Sequence, residues 1–93
     1  MSHGLQAPPM KRITVRYFAS IREAVGRPGE TLETQAATLA ALRDELVARG
    51  GAHAASLARG KAVRMALDQA MADESAGLAD GAEVAFFPPV TGG

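Results

Sequence analysis

Cysteine and tryptophan are both missing from the 93 residues of this sequence. The lack of cysteine excludes disulfide staples, thiolate metal sites, persulfide relays and cysteine nucleophiles. Any sulfur chemistry in which the chain takes part must therefore use another atom. There is no excess of charge of either sign: ten Lys and Arg stand against ten Asp and Glu, and the pI is near 6.7. That balance leaves little electrostatic drive toward nucleic-acid phosphates or an anionic lipid surface, so neither is expected as a partner. No apolar run approaches the roughly 18 residues needed to span a bilayer. The start, Met1 to Pro9, has neither the basic nor the apolar region of a signal peptide, and a cytoplasmic location is expected. What is present is a composition 47% hydrophobic and 22% charged, enough for one packed core. A second domain would not fit. A core this small, without staples, is marginal alone and points to a partner.

Met10 stands at the change from a Ser-His-Gly-Leu-Gln-Ala-Pro-Pro opening to a strand-like run. Residues 1–9 are expected to be a disordered extension or expression scar, 10–87 a folded domain and 88–93 a tail. Ile13, Val15 and Tyr17 alternate with Thr14, Arg16 and Phe18, the period of a half-buried strand. Ser20 and Glu23 have the spacing of a capping box, which predicts a short helix ending at Gly26. Arg27-Pro28-Gly29 reads as a turn, and Glu30 to Thr34 as a second strand returning beside the first. Thr38 is positioned to cap a helix over Leu39–Arg49, with Leu39, Leu42, Leu46 and Val47 on one face and Gly50-Gly51 at its end. Ala52 to Arg59 suits a short helix or a loop. Ala62 to Leu67 alternates again, Asp68-Gln69 turns the chain into a short strand around Met71, and Asp73 to Ala76 is loop-like. Asp80-Gly81 is a turn signal before a last strand, Glu83–Phe87, which Pro88-Pro89 stops. The order predicts an α+β, two-layer domain: a sheet covered on one face by one main helix.

Side chains suited to catalysis are few. His3 lies in the N-terminal extension. His53 sits in an Ala-rich segment without a second ligand at metal spacing, so no metal site is expected. Asp73-Glu74 reads as a solvated loop pair, and Arg12, Arg16, Arg22 and Arg27 as a basic bias that is either a docking surface or solubilising charge. The C-terminus differs. Pro88-Pro89 favours extended backbone that cannot add to a sheet, so residues 88–93 are expected to project as a flexible tail. Gly92 and Gly93 carry no side chains, and such a thin end lets an α-carboxylate pass down a narrow tunnel into another protein's active site.

The run from Asp80 to Gly93, with Glu83-Val84-Ala85-Phe86-Phe87-Pro88-Pro89-Val90-Thr91-Gly92-Gly93 at its end, resembles the C-terminal signature of the molybdopterin synthase small subunits. Ile13-Thr14-Val15-Arg16-Tyr17-Phe18-Ala19 followed by Ile21-Arg22-Glu23 resembles the same family, and the likeness covers about residues 10 to 93. Asp68 departs from it, where Asn is expected before Gln69. The resemblance implies a ubiquitin-like β-grasp fold with a mixed sheet of about five strands. It implies that a ubiquitin-activating-like adenylyltransferase uses ATP to adenylate the Gly93 carboxylate, which then becomes a thiocarboxylate. The tail, Pro88, Pro89, Val90, Thr91 and Gly92, then enters the large subunit, and the sulfur passes to cyclic pyranopterin monophosphate to build the dithiolene of molybdopterin. Catalytic side chains are expected on the large subunit, two small and two large subunits in the assembly, and no cofactor bound to this chain. Two alternatives share the diglycine end: a sulfur carrier for thiamine or cysteine synthesis, and a ubiquitin-like protein modifier.

Strand parity adds an expectation about docking. With Ile13, Val15 and Tyr17 facing inward, Phe18 faces out; with Val84 and Phe86 inward, Phe87 faces out. Together with Met71 they are expected to form an apolar partner-binding patch beside the tail root. The competing expectation is that one or more of them completes a second small core.

Overall fold

The computed structural model describes residues 10–89. The strand predicted from the first alternating run is β1 (Lys11–Tyr17), with Ile13, Val15 and Tyr17 buried. It runs directly into α1 (Ala19–Val25). Here the capping-box expectation is corrected: the residue before the helix is extended Phe18, not Ser20, and no side chain caps it. The Phe18 amide still donates to the Phe86 carbonyl at 3.2 Å, while the Phe18 carbonyl accepts the amides of Ile21 and Arg22 at 3.1 and 3.3 Å. The strand therefore ends where the helix begins, and Ala19 absorbs the change of direction at φ +51°. Gly26 closes the helix at φ +88°, donating to the Arg22 carbonyl.

β2 (Gly29–Thr34) returns antiparallel to β1, Gly29 opposite Arg16. A side chain is excluded at Gly29, since a Cβ would lie 2.5 Å from the Val15 carbonyl oxygen. Thr38 caps α2 (Leu39–Ala48) as expected, its hydroxyl accepting from the Ala41 amide. The Ala-rich segment left open between helix and loop is a helix, α3 (Gly51–Leu57). The break between the two helices falls at Gly50 and Gly51, at φ +77° and +57°.

The next strand is shorter than the alternation suggested. β3 covers Arg64–Leu67, because residues before it are held by α2: the Lys61 carbonyl accepts from buried Arg43. Asp68 and Gln69, both at positive φ, form the two-residue turn to β4 (Ala70–Ala72). Asp68 in place of the expected Asn is satisfied there, with its carboxylate accepting the Glu83 amide at 2.9 Å. Asp80 and Gly81 turn the chain as expected, Asp80 accepting the Arg12 amide at 2.7 Å, into β5 (Glu83–Phe87).

The strands form one sheet in the order β2-β1-β5-β3-β4, with β1 and β5 parallel and the other pairs antiparallel. One face carries the helices. Ile13, Val15, Tyr17, Met65, Val84 and Phe86 pack there against Ile21, Leu39, Leu42, Leu46 and Leu57. Among the described residues no helix covers the other face, which holds the outward residues of β1, β5, β3 and β4. No helix among the described residues is long and apolar enough to cross a membrane.

Candidate functional site

Strands β1 and β5 at the centre and β4 at the edge bring the three predicted patch residues together on the open face. Phe18 follows β1, Phe87 ends β5, and their rings stack at 4.7 Å between centroids and 12° between planes. Both are half-buried by this contact, whereas Met71 on edge strand β4 is 63% exposed. The floor between them is made of small residues. Ala66 lies opposite both Ala85 and Met71 in the register, and the two alanines are buried under the larger side chains. The result joins the two expectations: Phe18 and Phe87 cover a small outer core, and with Met71 they still present apolar surface.

This patch borders the chain's exit. A hollow of about 490 Å³ is lined by Phe18, Arg64, Met71 and Phe87, and by Pro88 and Pro89 where the backbone leaves the sheet. Arg16 lines a neighbouring depression with Phe18, Met71 and Phe87, its guanidinium 5.8 Å from the centre of the Phe18 ring and 3.7 Å from the Glu83 carboxylate. Val90, Thr91, Gly92 and Gly93 lie outside the described residues.

Other polar residues are committed to the fold. His53 joins a network on the helix-covered side of the sheet, where Glu30 accepts from the Tyr17 hydroxyl at 2.6 Å and from Arg49 at 2.8 Å and contacts His53 Nε2 at 3.1 Å. Burial of the Glu30 carboxyl would raise its pKa. Hydrogen bonds from Arg49, Tyr17 and His53 outweigh that effect and bring it down from the ordinary 4.5 to about 2. Burial and the neighbouring Glu30 push the Tyr17 hydroxyl well above the ordinary tyrosine range.

The reading of Asp73-Glu74 as a solvated pair is corrected for Glu74, which accepts from Arg43 at 2.6 Å and from Arg59 at 2.8 Å. Arg43 is only 4% exposed and also donates to the carbonyls of Leu57, Ala58 and Lys61. Sequence reasoning missed this residue. The signal was its place on α2, four residues after Leu39 and three before Leu46, where a cation interrupts the apolar stripe. The N-terminal basic bias does not gather: Arg12 pairs with Glu33, Arg16 with Glu83 and Arg27 with Glu30. His3 lies outside the described residues. Among those described, no three His, Asp or Glu side chains are grouped to hold a metal.

A mixed sheet in this order with helices on one face defines a ubiquitin-like β-grasp domain. Within that class the chain belongs to the ThiS family, whose model matches residues 15–93. It is 41% identical to the molybdopterin synthase sulfur carrier subunit of Escherichia coli, over 87% of this chain and 99% of that protein. Among solved structures it is similar to SAMP1, a small archaeal modifier protein, from Haloferax volcanii, with a TM-score of 0.71 at 26% identity, covering 88% of this chain and 99% of that one. It is also similar to a chain in the complex of subunits 1 and 2 of the molybdopterin-converting factor from Helicobacter pylori, with a TM-score of 0.58 at 29% identity and coverage of 88% and 99%.

Proposed function

We propose that this chain is the sulfur-carrying small subunit of molybdopterin synthase, acting in the cytoplasm. The observation that carries the reading is the Phe18–Phe87–Met71 surface at the point where Pro88 and Pro89 lead the backbone off the sheet. A partner docked there lies beside the point where Pro89 leads the chain off the domain. The relationship to a sulfur carrier subunit and to a chain complexed with a second subunit supports the molybdopterin synthase large subunit as that partner. Two copies of each subunit then make the assembly.

The chemistry belongs to the Gly93 α-carboxylate. A carboxylate is a poor electrophile, so an adenylyltransferase first joins it to AMP at the expense of ATP and releases pyrophosphate. The resulting mixed anhydride has a good leaving group, and sulfide sulfur displaces AMP at the carbonyl carbon to leave a thiocarboxylate. Residues 88–93 then carry that sulfur into the large subunit, where it passes to cyclic pyranopterin monophosphate. A dithiolene holds two sulfurs, so two charged chains are consumed for each product. The large subunit supplies the catalytic side chains; this chain supplies the reacting atom and the surface that positions it.

The test is to incubate the full chain with the adenylyltransferase, ATP and a sulfide source and to measure its intact mass. Replacement of one terminal oxygen by sulfur, absent from a variant lacking Gly92 and Gly93, is the expected result. An unchanged mass with an enzyme verified as active on another carrier overturns the reading. The likeness to SAMP1 favours a second reading, in which the same activated terminus is joined to lysine side chains. Isopeptide-linked conjugates in cells, without thiocarboxylate formation, would select it.

A further inference from the structure

The hollow at the tail root contains a charge that no described residue neutralises. Arg64 opens β3 opposite Phe87, is exposed, and lines the same hollow as Phe18, Met71 and Phe87. The other arginines on this face, Arg12 and Arg16, have Glu33 and Glu83 beside them. On its opposite side Arg64 borders a depression that includes Asp73 and Glu74, yet both carboxylates are engaged elsewhere. Glu74 holds Arg43 and Arg59, and Asp73 accepts from the amide and hydroxyl of Ser75. Among the described residues, no ion pair reaches Arg64.

A surface that covers Phe18, Met71 and Phe87 withdraws Arg64 from water with them. A guanidinium desolvated without a counter-charge is strongly unfavourable, whereas one met by a carboxylate makes two parallel charge-assisted hydrogen bonds. We infer that the partner recognises this face through a paired determinant: an apolar side chain seated against Phe18, Met71 and Phe87, and an Asp or Glu beside it seated on Arg64. This inference rests on the small-subunit reading. It makes Arg64 a specificity residue, because a partner with a neutral or basic group at that place leaves the guanidinium unpaired.

Calorimetric titration of the intact chain with the cognate large subunit tests it, using the wild type, Arg64→Ala, Arg64→Glu and Phe87→Ala. Arg64→Ala is expected to weaken binding about tenfold and Arg64→Glu about 100-fold. Both should leave the thermal midpoint in place, since Arg64 is exposed. Changing the matching acidic residue of the large subunit to lysine, found by substituting its acids singly, restores binding of Arg64→Glu. If Arg64→Glu binds like the wild type while Phe87→Ala fails to bind, the small-subunit reading stands and the determinant is overturned. A loss that no acid-to-lysine change relieves overturns it as well. If the large subunit does not bind the wild type, the small-subunit reading falls and the determinant falls with it.

Discussion

Tyr17 and Phe18 are consecutive residues that meet opposite surroundings. Tyr17 points into the helix-covered side, where it is 1% exposed and its hydroxyl donates to Glu30. Around it Arg49 and His53 complete a closed polar network. Phe18 points to the open side, where its ring stacks on Phe87, lies near the Arg16 guanidinium and borders the hollow at the tail root. On the first side the domain satisfies its own groups; on the second, among the described residues, it leaves apolar surface and the Arg64 guanidinium for something else to satisfy. Perturbations should therefore divide cleanly, with stability lost on the helix side and binding lost on the open side.

The largest effect is expected at Arg43. Removing its side chain in Arg43→Ala takes the donor from three carbonyls and leaves the Glu74 carboxylate with Arg59 alone, and should cost about 3 kcal/mol of unfolding free energy. Urea titration measures this. If the loss is below about 1 kcal/mol, the network contributes little and the division between the two sides blurs.

Next is Phe87→Ala, expected to weaken large-subunit binding by about 2 kcal/mol. The same variant should shift unfolding less than Arg43→Ala does, because Phe87 is already half-exposed by its position on the open face. An unchanged calorimetric affinity would remove the patch from the interface.

The smallest effect sharpens the comparison through pH. The folded-state pKa of Glu30 lies below its ordinary 4.5, at about 2. Its ion pairs and hydrogen bonds therefore contribute stability that is fully present above pH 4.5 and lost as the pH falls toward 2. The loss should be roughly 1–2 kcal/mol, given that the carboxyl keeps some contact with solvent. Glu30→Gln should flatten that acid limb in unfolding curves, while the affinity for the large subunit, measured at neutral pH, stays unchanged.

Much of this was legible before the structure. Alternation identified β1, the Asp80-Gly81 turn and the Pro88-Pro89 stop identified β5, and parity put Phe18 and Phe87 on one face through the strand's side-chain period of two. Thr38 announced α2 through a local hydrogen bond. The failures share a cause: they depend on partners distant in sequence. Ser20 was read as a cap from local spacing, but the Phe18 amide was already claimed by Phe86, 68 residues away. Glu74 looked solvated because its partner Arg43 is 31 positions earlier. His53 had no local companion because Glu30, 23 positions away, is its contact.

The central place of β5 has a mechanical consequence. It is hydrogen-bonded to β1 on one side and β3 on the other, and it is the last strand before the exit. Since β1 and β5 are parallel, a pull on the chain beyond Pro89 against the start of β1 loads their hydrogen bonds along the strand direction, so that they resist together rather than opening one after another. The domain is therefore expected to resist a pull at Pro89 most strongly along the line of the β1–β5 pair.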